Sequence, residues 1–270
     1  MPNCVNCNRP LSSFGPGEPH PLCPQCRQQI LGQNVEAQPA RAVSRSFPVT
    51  NTLLAINVAV FIVMTFYGVS PILPTADQLK PWGADYGPLT LTTQPWRLLT
   101  STFVHGGLLH IATNMWCLWN LGRLAENIFG RLTFLLTYLF TGISGSLLSV
   151  ALHSSWVSVG ASGAIFGVAG ALITALYFGK LPVPKERLNA TLKSLVLFAV
   201  INLAIGAGIP VIDNSGHIGG LVLGLAIGAL LAPYLTSDPE SKARNRQIVF
   251  AALAFVLIAA IWYVRKASGY

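Results

Sequence analysis

The sequence predicts an all-α protein that crosses a membrane several times and carries a small separate module at its N-terminus. Of its 270 residues, 52% are hydrophobic and only 10% are charged, whereas soluble domains carry about 25% charged residues. Seven apolar segments of about 18–21 residues follow one another. Each is close to the ~20 residues that a helix needs to cross a ~30 Å hydrocarbon core. Four cysteines near the N-terminus indicate the separate module.

The N-terminal module is defined by two C-x-x-C pairs separated by fifteen residues. This spacing is typical of a zinc ribbon, in which four thiolates complete a tetrahedral site. Two disulfides are the alternative, and they would require an oxidising compartment. We expect a structural Zn²⁺ in a module of residues 1–30, followed by a polar linker at 31–50. The predicted ligands are Cys4, Cys7, Cys23 and Cys26.

The distribution of basic residues predicts how the chain lies in the membrane. The formal net charge is +8, but the Lys and Arg residues are spread along the loops rather than gathered as in a nucleic-acid site. With a cytoplasmic N-terminus, thirteen of these 17 residues lie on the inner side and four on the outer side, as the positive-inside rule requires. Even-numbered segments then run from outside to inside. The seven segments cover approximately 51–68, 103–121, 132–152, 161–178, 191–209, 216–233 and 247–264.

The connection at 69–102 is too rich in proline to form one more membrane helix. It carries Trp82, Tyr86 and Trp96, and aromatic side chains are favoured at membrane interfaces. A plain loop is the alternative, but connections of this length are usually packed or functional. We therefore expect a structured segment that rests in the interface.

Two glycine-striped segments each carry a polar residue with catalytic chemistry. Ser162 begins the fourth segment and His217 begins the sixth, so both lie near the predicted outer face. Small residues at three- and four-residue steps let membrane helices approach closely. Packing the two stripes together would bring the imidazole within hydrogen-bond reach of the hydroxyl, as a general base requires. The stripes are Gly160, Gly163, Gly167 and Gly170 in the fourth segment and Gly216, Gly220, Gly224 and Gly228 in the sixth.

Packing alone is the simpler explanation for such residues. A lone serine in a membrane helix commonly bonds to a backbone carbonyl, but the matched depth of Ser162 and His217 favours catalysis. A second G-x-S-G, around Ser144, lies midway along the third segment with no histidine at its depth, and it predicts helix packing. Asp213 precedes His217 by four residues, and we expect it to be a loop residue rather than the third member of a triad.

The second segment adds polar side chains near the same face. His110 and Asn114 are four residues apart, so they share one face of a helix. Aimed at Ser162, they would donate hydrogen bonds to an oxyanion on the attacked carbonyl. Metal ligation is the alternative, but no carboxylate or third ligand occurs at that depth. His105 lies closer to the interface, where we expect it to cap or orient a loop.

Together these motifs resemble the rhomboid intramembrane serine proteases, over roughly residues 50–233. The resemblance implies a six-helix core at 51–233, and the predicted cytoplasmic loop and seventh transmembrane helix at 234–270 depart from that minimal pattern. The N-terminal cysteine module is likewise an addition to the minimal pattern. The matching features, in the expected order, are Trp96-Arg97, His110-x-x-x-Asn114, Gly160-Ala161-Ser162-Gly163 and His217-x-x-Gly220-x-x-x-Gly224.

The resemblance also implies a chemistry. Ser162 and His217 would form a dyad that needs neither a carboxylate nor a catalytic cofactor. His110, Asn114 and the backbone N–H of Ser162 would form an oxyanion hole. Substrates would be transmembrane helices of other proteins, cut near the outer face, with the helix at 191–209 and the first loop acting as gate and lateral support.

Two other functions stay open at this point. A catalytically silent rhomboid-like protein would bind membrane clients, although such relatives usually lack the serine or the histidine. A transporter or channel is disfavoured because the predicted spans contain no acidic residue and the sequence shows no inverted repeat. We expect the bilayer and transmembrane substrates as partners, no nucleic acid, and a cytoplasmic partner as one role for the cysteine module. The absence of an evident organelle-targeting segment favours a bacterial plasma membrane, with the N-terminus in the cytoplasm.

Overall fold

The computed structural model describes residues 3–11, 21–35 and 46–269, which fall into two compact units divided between Ser46 and Phe47. Two short strands, β1 (Asp85–Tyr86) and β2 (Val157–Ser158), pair antiparallel in the second unit. The helices of the described residues, in chain order, are α1 (Pro24–Val35), α2 (Pro48–Phe66), α3 (Ala76–Leu79), α4 (Gly87–Thr90), α5 (Arg97–Thr100), α6 (Leu108–Phe129), α7 (Arg131–Leu152), α8 (Ser162–Phe178), α9 (Lys185–Gly208), α10 (Asn214–Leu231) and α11 (Pro239–Ala267).

The N-terminal unit is built around its cysteines. Three of them are buried and form its small core. An antiparallel bridge between Asn3 and Pro10 closes the first cysteine loop, and α1 begins directly after Cys23. This helix continues to Val35, into the segment predicted as a linker. Of the rest of that predicted linker, residues 36–45 lie outside the described residues, and residues 48–50 already belong to α2.

The helical membrane architecture predicted from the sequence is confirmed. In the described part of the chain, five helices are long and apolar enough to span a membrane: α2, α7, α9, α11 and α10 with its following turn. The helix α8 is apolar but has 17 residues, which at about 1.5 Å per residue falls short of a ~30 Å core. The helix α6 has the length, but polar residues such as His110, Asn114 and Arg123 lower its hydropathy.

Several helix ends differ from those predicted, because hydropathy marks only the apolar part of a helix. The helices α6, α9 and α11 continue through polar turns beyond their apolar stretches. At the other end, α6 begins at Leu108 rather than at 103. Gly107 there has a φ of +113°, and a side chain on it would collide with the carbonyl of Ile72. The glycine therefore ends the preceding connection and starts the helix.

The connection between α2 and α6 is packed around one buried arginine. Arg97, 6% exposed, donates from Nη1 to the carbonyls of Lys80 and Ala84, both at 2.7 Å. Its Nε donates to Oε1 of Gln94 at 2.7 Å. One guanidinium thus satisfies carbonyls from separate turns, and it holds the two halves of the connection together.

The helix α8 lies at the centre of the second unit, where it contacts α6, α7, α9 and α10. All residues from 164 to 172 are buried, which explains why the apolar character of this helix extends around its whole circumference. Neighbouring helices supply the large side chains of the same core, among them Leu118, Phe134, Tyr138 and Leu195.

The C-terminal helix α11 contacts both the helices and the α2–α6 connection. The ring of Phe250 packs edge-on against Phe140 of α7, with ring centroids 5.1 Å apart. Near its other end, Arg265 donates to the carbonyl of Thr92 at 2.9 Å. Between these points α11 completes an apolar cluster that consists of Leu91, Leu98, Leu147 and Val150 with Ala260, Ile261 and Val264.

A buried carboxylate caps the first long helix. Glu126 of α6 is 6% exposed and accepts from the backbone N–H groups of Val49 and Thr50 at 3.1 and 2.9 Å. It also accepts from the Thr50 hydroxyl at 2.8 Å. The residue lies beyond the apolar stretch predicted at 103–121, so the expectation of spans without acidic residues does not hold for the whole of α6. Its three bonds serve the start of α2, whose first N–H groups have no acceptor within the helix.

Replacing Glu126 with alanine should lower the free energy of unfolding by about 2–4 kcal/mol, because it leaves buried donors without an acceptor. Thermal unfolding in detergent micelles measures this loss. Glu240→Ala is the matched control, since Glu240 is exposed in the first turn of α11. Equal stability of the two variants would contradict the capping role of Glu126.

Candidate active site

The helices α8 and α10 run in the same direction and touch through their backbones. Each four-residue step along the glycines of α10 matches a four-residue step along α8. A Cβ atom on any of these glycines would collide with the facing carbonyl, so no side chain separates the two helices. The facing pairs are Gly220 with Gly163, Gly224 with Gly167, and Gly228 with Ala171.

This register brings Ser162 and His217 to the same level of the bundle. Ser162 is the first residue of α8, and His217 lies in the first turn of α10. Between them, a Cβ on Gly163 would lie 3.2 Å from the carbonyl oxygen of Gly216. A Cβ on Gly145 of α7 would lie 2.6 Å from the same oxygen. Three helix backbones therefore converge beside the two side chains.

Asn214 orients the imidazole of His217. Its Nδ2 donates to the carbonyl of Leu203 in α9 at 2.9 Å, so its Oδ1 faces the ring and accepts from Nδ1 at 3.3 Å. A neutral ring with its proton on Nδ1 has a free lone pair on Nε2. The ring also stacks on Phe166 of α8, with centroids 4.3 Å apart and planes inclined by 9°. The imidazole is thus held against the helix that begins at Ser162.

Among the described residues, the side-chain hydrogen bond of His217 goes to Asn214, and none joins it to Ser162. His217 is 7% exposed, whereas Ser162 is half-buried. In hydrolases without substrate, the bond between nucleophile and base is often long and tightens when substrate binds. A short bond between Ser162 and His217 is therefore not required in the substrate-free protein.

His110 packs against the chain that leads into α8. Its Nδ1 accepts from the N–H of Gly106 at 3.2 Å, so a neutral ring carries its proton on Nε2. Gly160, with a φ of +114°, rests on this ring, and a Cβ there would lie 2.6 Å from Nε2. Only glycine fits at this position. The contact places the Nε2–H donor of His110 next to Gly160, which precedes Ser162 by two residues.

Asn114 lies one turn further along α6 and is 6% exposed. Its Nδ2 donates to the carbonyl of His110 at 2.9 Å, and the amide keeps a second hydrogen for another acceptor. His105 packs edge-on against His110 with ring centroids 5.3 Å apart. His105 is 1% exposed and serves as a packing partner of His110.

Asp213 and Ser144 are engaged elsewhere. The carboxylate of Asp213 accepts from the N–H of Gly216 at 3.0 Å and from the hydroxyl of Ser158 at 2.5 Å. It thereby caps α10 and does not contact the imidazole of His217 through a hydrogen bond. Ser144 donates to the carbonyl of Gly219 at 3.0 Å and so links α7 to α10.

The four N-terminal cysteines converge on one point. Their Sγ atoms all lie within 4.8 Å of one another, and those of Cys7 and Cys23 are 3.6 Å apart. Four thiolates about 2.3 Å from a tetrahedral Zn²⁺ would be about 3.8 Å apart, so this spread suits a metal ion. The backbone N–H of Cys23 donates to Sγ of Cys4 at 3.2 Å, as a supporting contact to a ligating sulfur would. No disulfide joins any of these four cysteines.

A family model for the Rhomboid domain matches residues 92–234, more than half of the chain. The chain belongs to the rhomboid family. The matched region begins before α5 and ends after α10, so it includes both helices that touch through their glycines. The resemblance inferred from the motifs is confirmed at the level of the family.

This rhomboid protein is similar to relatives from several kingdoms. It is 34% identical to Rhomboid protease GluP of Bacillus subtilis (strain 168), over 87% of this chain and 44% of the relative. It is 38% identical to RHOMBOID-like protein 6, mitochondrial, of Arabidopsis thaliana, over 58% of this chain and 51% of the relative. It is 31% identical to Rhomboid-like protease 1 of Toxoplasma gondii, over 77% of this chain and 74% of the relative. The chain spans about half the length of the first two.

Sequence reasoning missed two neighbours of His217. Asn214 lies three residues before it on the same helix, a spacing that puts the side chains on one face. Its partner Leu203 belongs to α9, however, and no local pattern identifies that contact. Phe166 follows Ser162 by one helical turn, and it could have been found by asking which residue of α8 faces the imidazole.

Proposed function

We propose that this rhomboid protein is an intramembrane serine endopeptidase that cleaves transmembrane segments of membrane proteins near the outer face. Ser162 is the nucleophile and His217 is the general base. The observation that carries the proposal is the parallel backbone contact of α8 and α10, which brings these two side chains to one level. The names of two relatives, both rhomboid proteases, support the same class of activity.

In this mechanism, Oγ of Ser162 attacks the scissile carbonyl carbon while Nε2 of His217 takes the hydroxyl proton. The imidazolium then gives that proton to the leaving amine, and an acyl-enzyme remains. Water then loses a proton to the same Nε2 as it attacks the ester carbonyl. The imidazolium returns a proton to Oγ of Ser162 as the carboxylic acid product leaves. Throughout, Nδ1 stays hydrogen-bonded to Asn214, which keeps the ring in place without a carboxylate.

The same proposal assigns an oxyanion site to His110, Asn114 and the backbone N–H of Ser162. The N–H of Ser162 belongs to the first turn of α8, so it has no acceptor within the helix. The Nε2 proton of His110 and the free amide hydrogen of Asn114 are the other two donors. Fixed donors of this kind stabilise the negative charge that develops on the attacked carbonyl.

A substrate helix has to reach this site from the side, and α9 is the proposed gate. Only 17% of the apolar stretch of α9 is buried inside the protein, compared with 50% of the apolar stretch of α10. Few protein contacts therefore hold α9 against its neighbours, while Asn214 bonds to its Leu203 carbonyl near the site. We infer that α9 moves more readily than α8 or α10 when a substrate enters.

Labelling with a fluorophosphonate tests the dyad without knowledge of the substrate. The reagent forms a covalent bond only with an activated serine, so wild-type protein should be labelled at Ser162 and both Ser162→Ala and His217→Ala should not be. Ser144→Ala is the matched control, because Ser144 also lies in a G-x-S-G but bonds to Gly219. A wild-type protein that resists the reagent would favour a catalytically silent, client-binding rhomboid.

We propose that the four-cysteine cluster holds a structural Zn²⁺ and recruits a cytoplasmic partner. Purified protein should then contain close to one zinc per chain, measured by elemental analysis. Because the small core of this unit consists mainly of cysteines, chelation should unfold residues 1–30. Circular dichroism and protease digestion would detect this change.

The unit that begins at Phe47 is the internal control for that experiment, since its core lies among long helices. Its thermal unfolding should not change on chelation by more than about 2 °C. Replacing Cys4 and Cys7 with serine should reproduce the effect of the chelator. A protein that carries no zinc and keeps its N-terminal fold in chelator would contradict the metal proposal.

For location, we propose a multi-pass protein of a bacterial plasma membrane with a cytoplasmic N-terminus. The excess of Lys and Arg on one side of the predicted spans supports this orientation. Cleavage would then take place at the opposite face, where α8 and α10 begin.

A further inference from the structure

One hydrogen bond joins the two chain segments that lead to the proposed dyad. The hydroxyl of Ser158 donates to Oδ2 of Asp213 at 2.5 Å. Ser158 precedes Ser162 by four residues, and Asp213 precedes His217 by four. The bond therefore connects β2, which leads into α8, with the residue that caps α10. It lies at the same distance along the chain from both reacting side chains.

Backbone hydrogen bonds hold both four-residue segments in place. These segments therefore cannot absorb a displacement of the Ser158–Asp213 bond before it reaches the dyad. After Ser158, the N–H of Gly160 donates to the carbonyl of Ser101 at 2.9 Å. After Asp213, the carbonyl of Asp213 accepts from the N–H of His217 at 3.2 Å. A change at the Ser158–Asp213 bond is thus transmitted to Ser162 through one held segment and to His217 through another.

A buried acidic side chain lies next to this bond. Asp85 pairs with Ser158 across the two strands and is fully buried, and its Oδ1 accepts from the Thr90 hydroxyl at 2.6 Å. Burial raises the pKa of Asp85 to about 7, although the bond from Thr90 opposes this, and the negative charge of Asp213 adds to the rise. A protonated Asp85 does not repel Asp213.

We propose that Ser158 and Asp213 are positioning residues whose hydrogen bond sets the separation of Ser162 and His217. The inference rests on the proposed protease function. Capping alone does not account for the contact, because the cap uses Oδ1 of Asp213 and the Ser158 bond uses Oδ2. A residue that acts only by positioning the nucleophile and the base affects the rate of the chemical step and not the binding of substrate.

The test replaces Ser158 with alanine in the full-length protein, which removes the bond and leaves the cap of α10 intact. The fluorophosphonate labelling rate per reactive site and the kcat for a reporter helix should both fall about tenfold, the size expected from a small misplacement of base and nucleophile. KM, the fraction of protein that is finally labelled and the unfolding temperature should stay near their wild-type values. Ser158→Thr, which keeps a hydroxyl, should restore most of the rate.

Two controls separate positioning from capping. Asp238 caps α11 through the N–H of Ser241 at 2.9 Å, so Asp238→Ala removes an aspartate cap from a helix outside the dyad. It should leave the rate per labelled site unchanged. Asp213→Ala should slow the reaction, and adding Ser158→Ala to it should cause no further loss, because the two residues act through one bond.

The outcomes are distinguishable. A Ser158→Ala protein that reacts at the wild-type rate per labelled site, or that changes only in KM, in stability or in the labelled fraction, overturns the positioning role and leaves the protease function intact. Additive losses in the double variant overturn it as well. Wild-type protein that is not labelled at Ser162 contradicts the proposed function itself, and the positioning role falls with it.

Discussion

Replacing Ser162 with alanine should reduce cleavage of a reporter transmembrane helix by at least about 10³-fold. Removal of the nucleophile in serine hydrolases leaves only the contribution of substrate binding and of the oxyanion donors, and losses of up to about 10⁶-fold are known. The expected result follows from the position of Ser162 at the start of α8, half-buried and at the same level of the bundle as His217. The measurement is the rate of product formation in detergent micelles or in liposomes with purified protein.

His217→Ala should cause a loss of similar size, and the double variant should be no slower than either single one, because nucleophile and base act as a unit. Ser144→Ala should stay within about threefold of the wild type, since it loses only the packing bond to Gly219. Undiminished cleavage by Ser162→Ala would exclude the dyad. Cleavage lost equally in Ser144→Ala would point to a general effect on folding.

Adding one methyl group at Gly224 should destabilise the protein by about 3 kcal/mol, the upper range for overpacked cores. A Cβ there would lie 2.6 and 2.7 Å from the carbonyl carbon and Cα of Gly167 and would overlap the carbonyl oxygen as well. These atoms belong to the backbone of the central helix, so they cannot turn aside as a flexible side chain would. The helices α8 and α10 must separate, and the labelling rate at Ser162 should fall together with the unfolding temperature.

Gly208→Ala is the control for this substitution. Gly208 ends α9, and a Cβ on it would meet nothing within 4 Å. Its stability should therefore stay within about 1 kcal/mol of the wild type. A Gly224→Ala protein as stable and as reactive as Gly208→Ala would show that the close helix contact is not required. Thermal unfolding and labelling, run side by side in the same micelles, decide this.

The centre of the fold could be predicted from the sequence because its signals are local. Glycines at regular steps mark the two helix faces that touch, and the matched depth of Ser162 and His217 follows from counting segments. Four cysteines at ribbon spacing predict a cluster that the structure also contains. In each case residue type and spacing carry the information, and no partner from a distant part of the chain has to be known.

What could not be predicted depends on contacts between distant segments. The orientation of Asn214 is set by a carbonyl of α9, and the cap of α2 comes from Glu126 in α6. The sequence around Asp213 predicts a loop residue just outside a helix, and Asp213 does lie directly before α10. Its bond to Ser158 requires the strand pairing of β1 and β2, and strands of two residues leave no periodic pattern.

Without α11, the seventh of the predicted membrane helices, the predicted six-helix core at 51–233 would be an incomplete fragment. Leu91, Leu98, Leu147 and Val150 have α11 as one wall of their cluster, and Arg265 is bonded to the carbonyl of Thr92. A protein cut before Pro239 would expose this cluster to lipid or water and would release the α2–α6 connection on that side. The last helix is therefore part of the frame that steadies the connection carrying Arg97, although it contributes no residue to the proposed dyad.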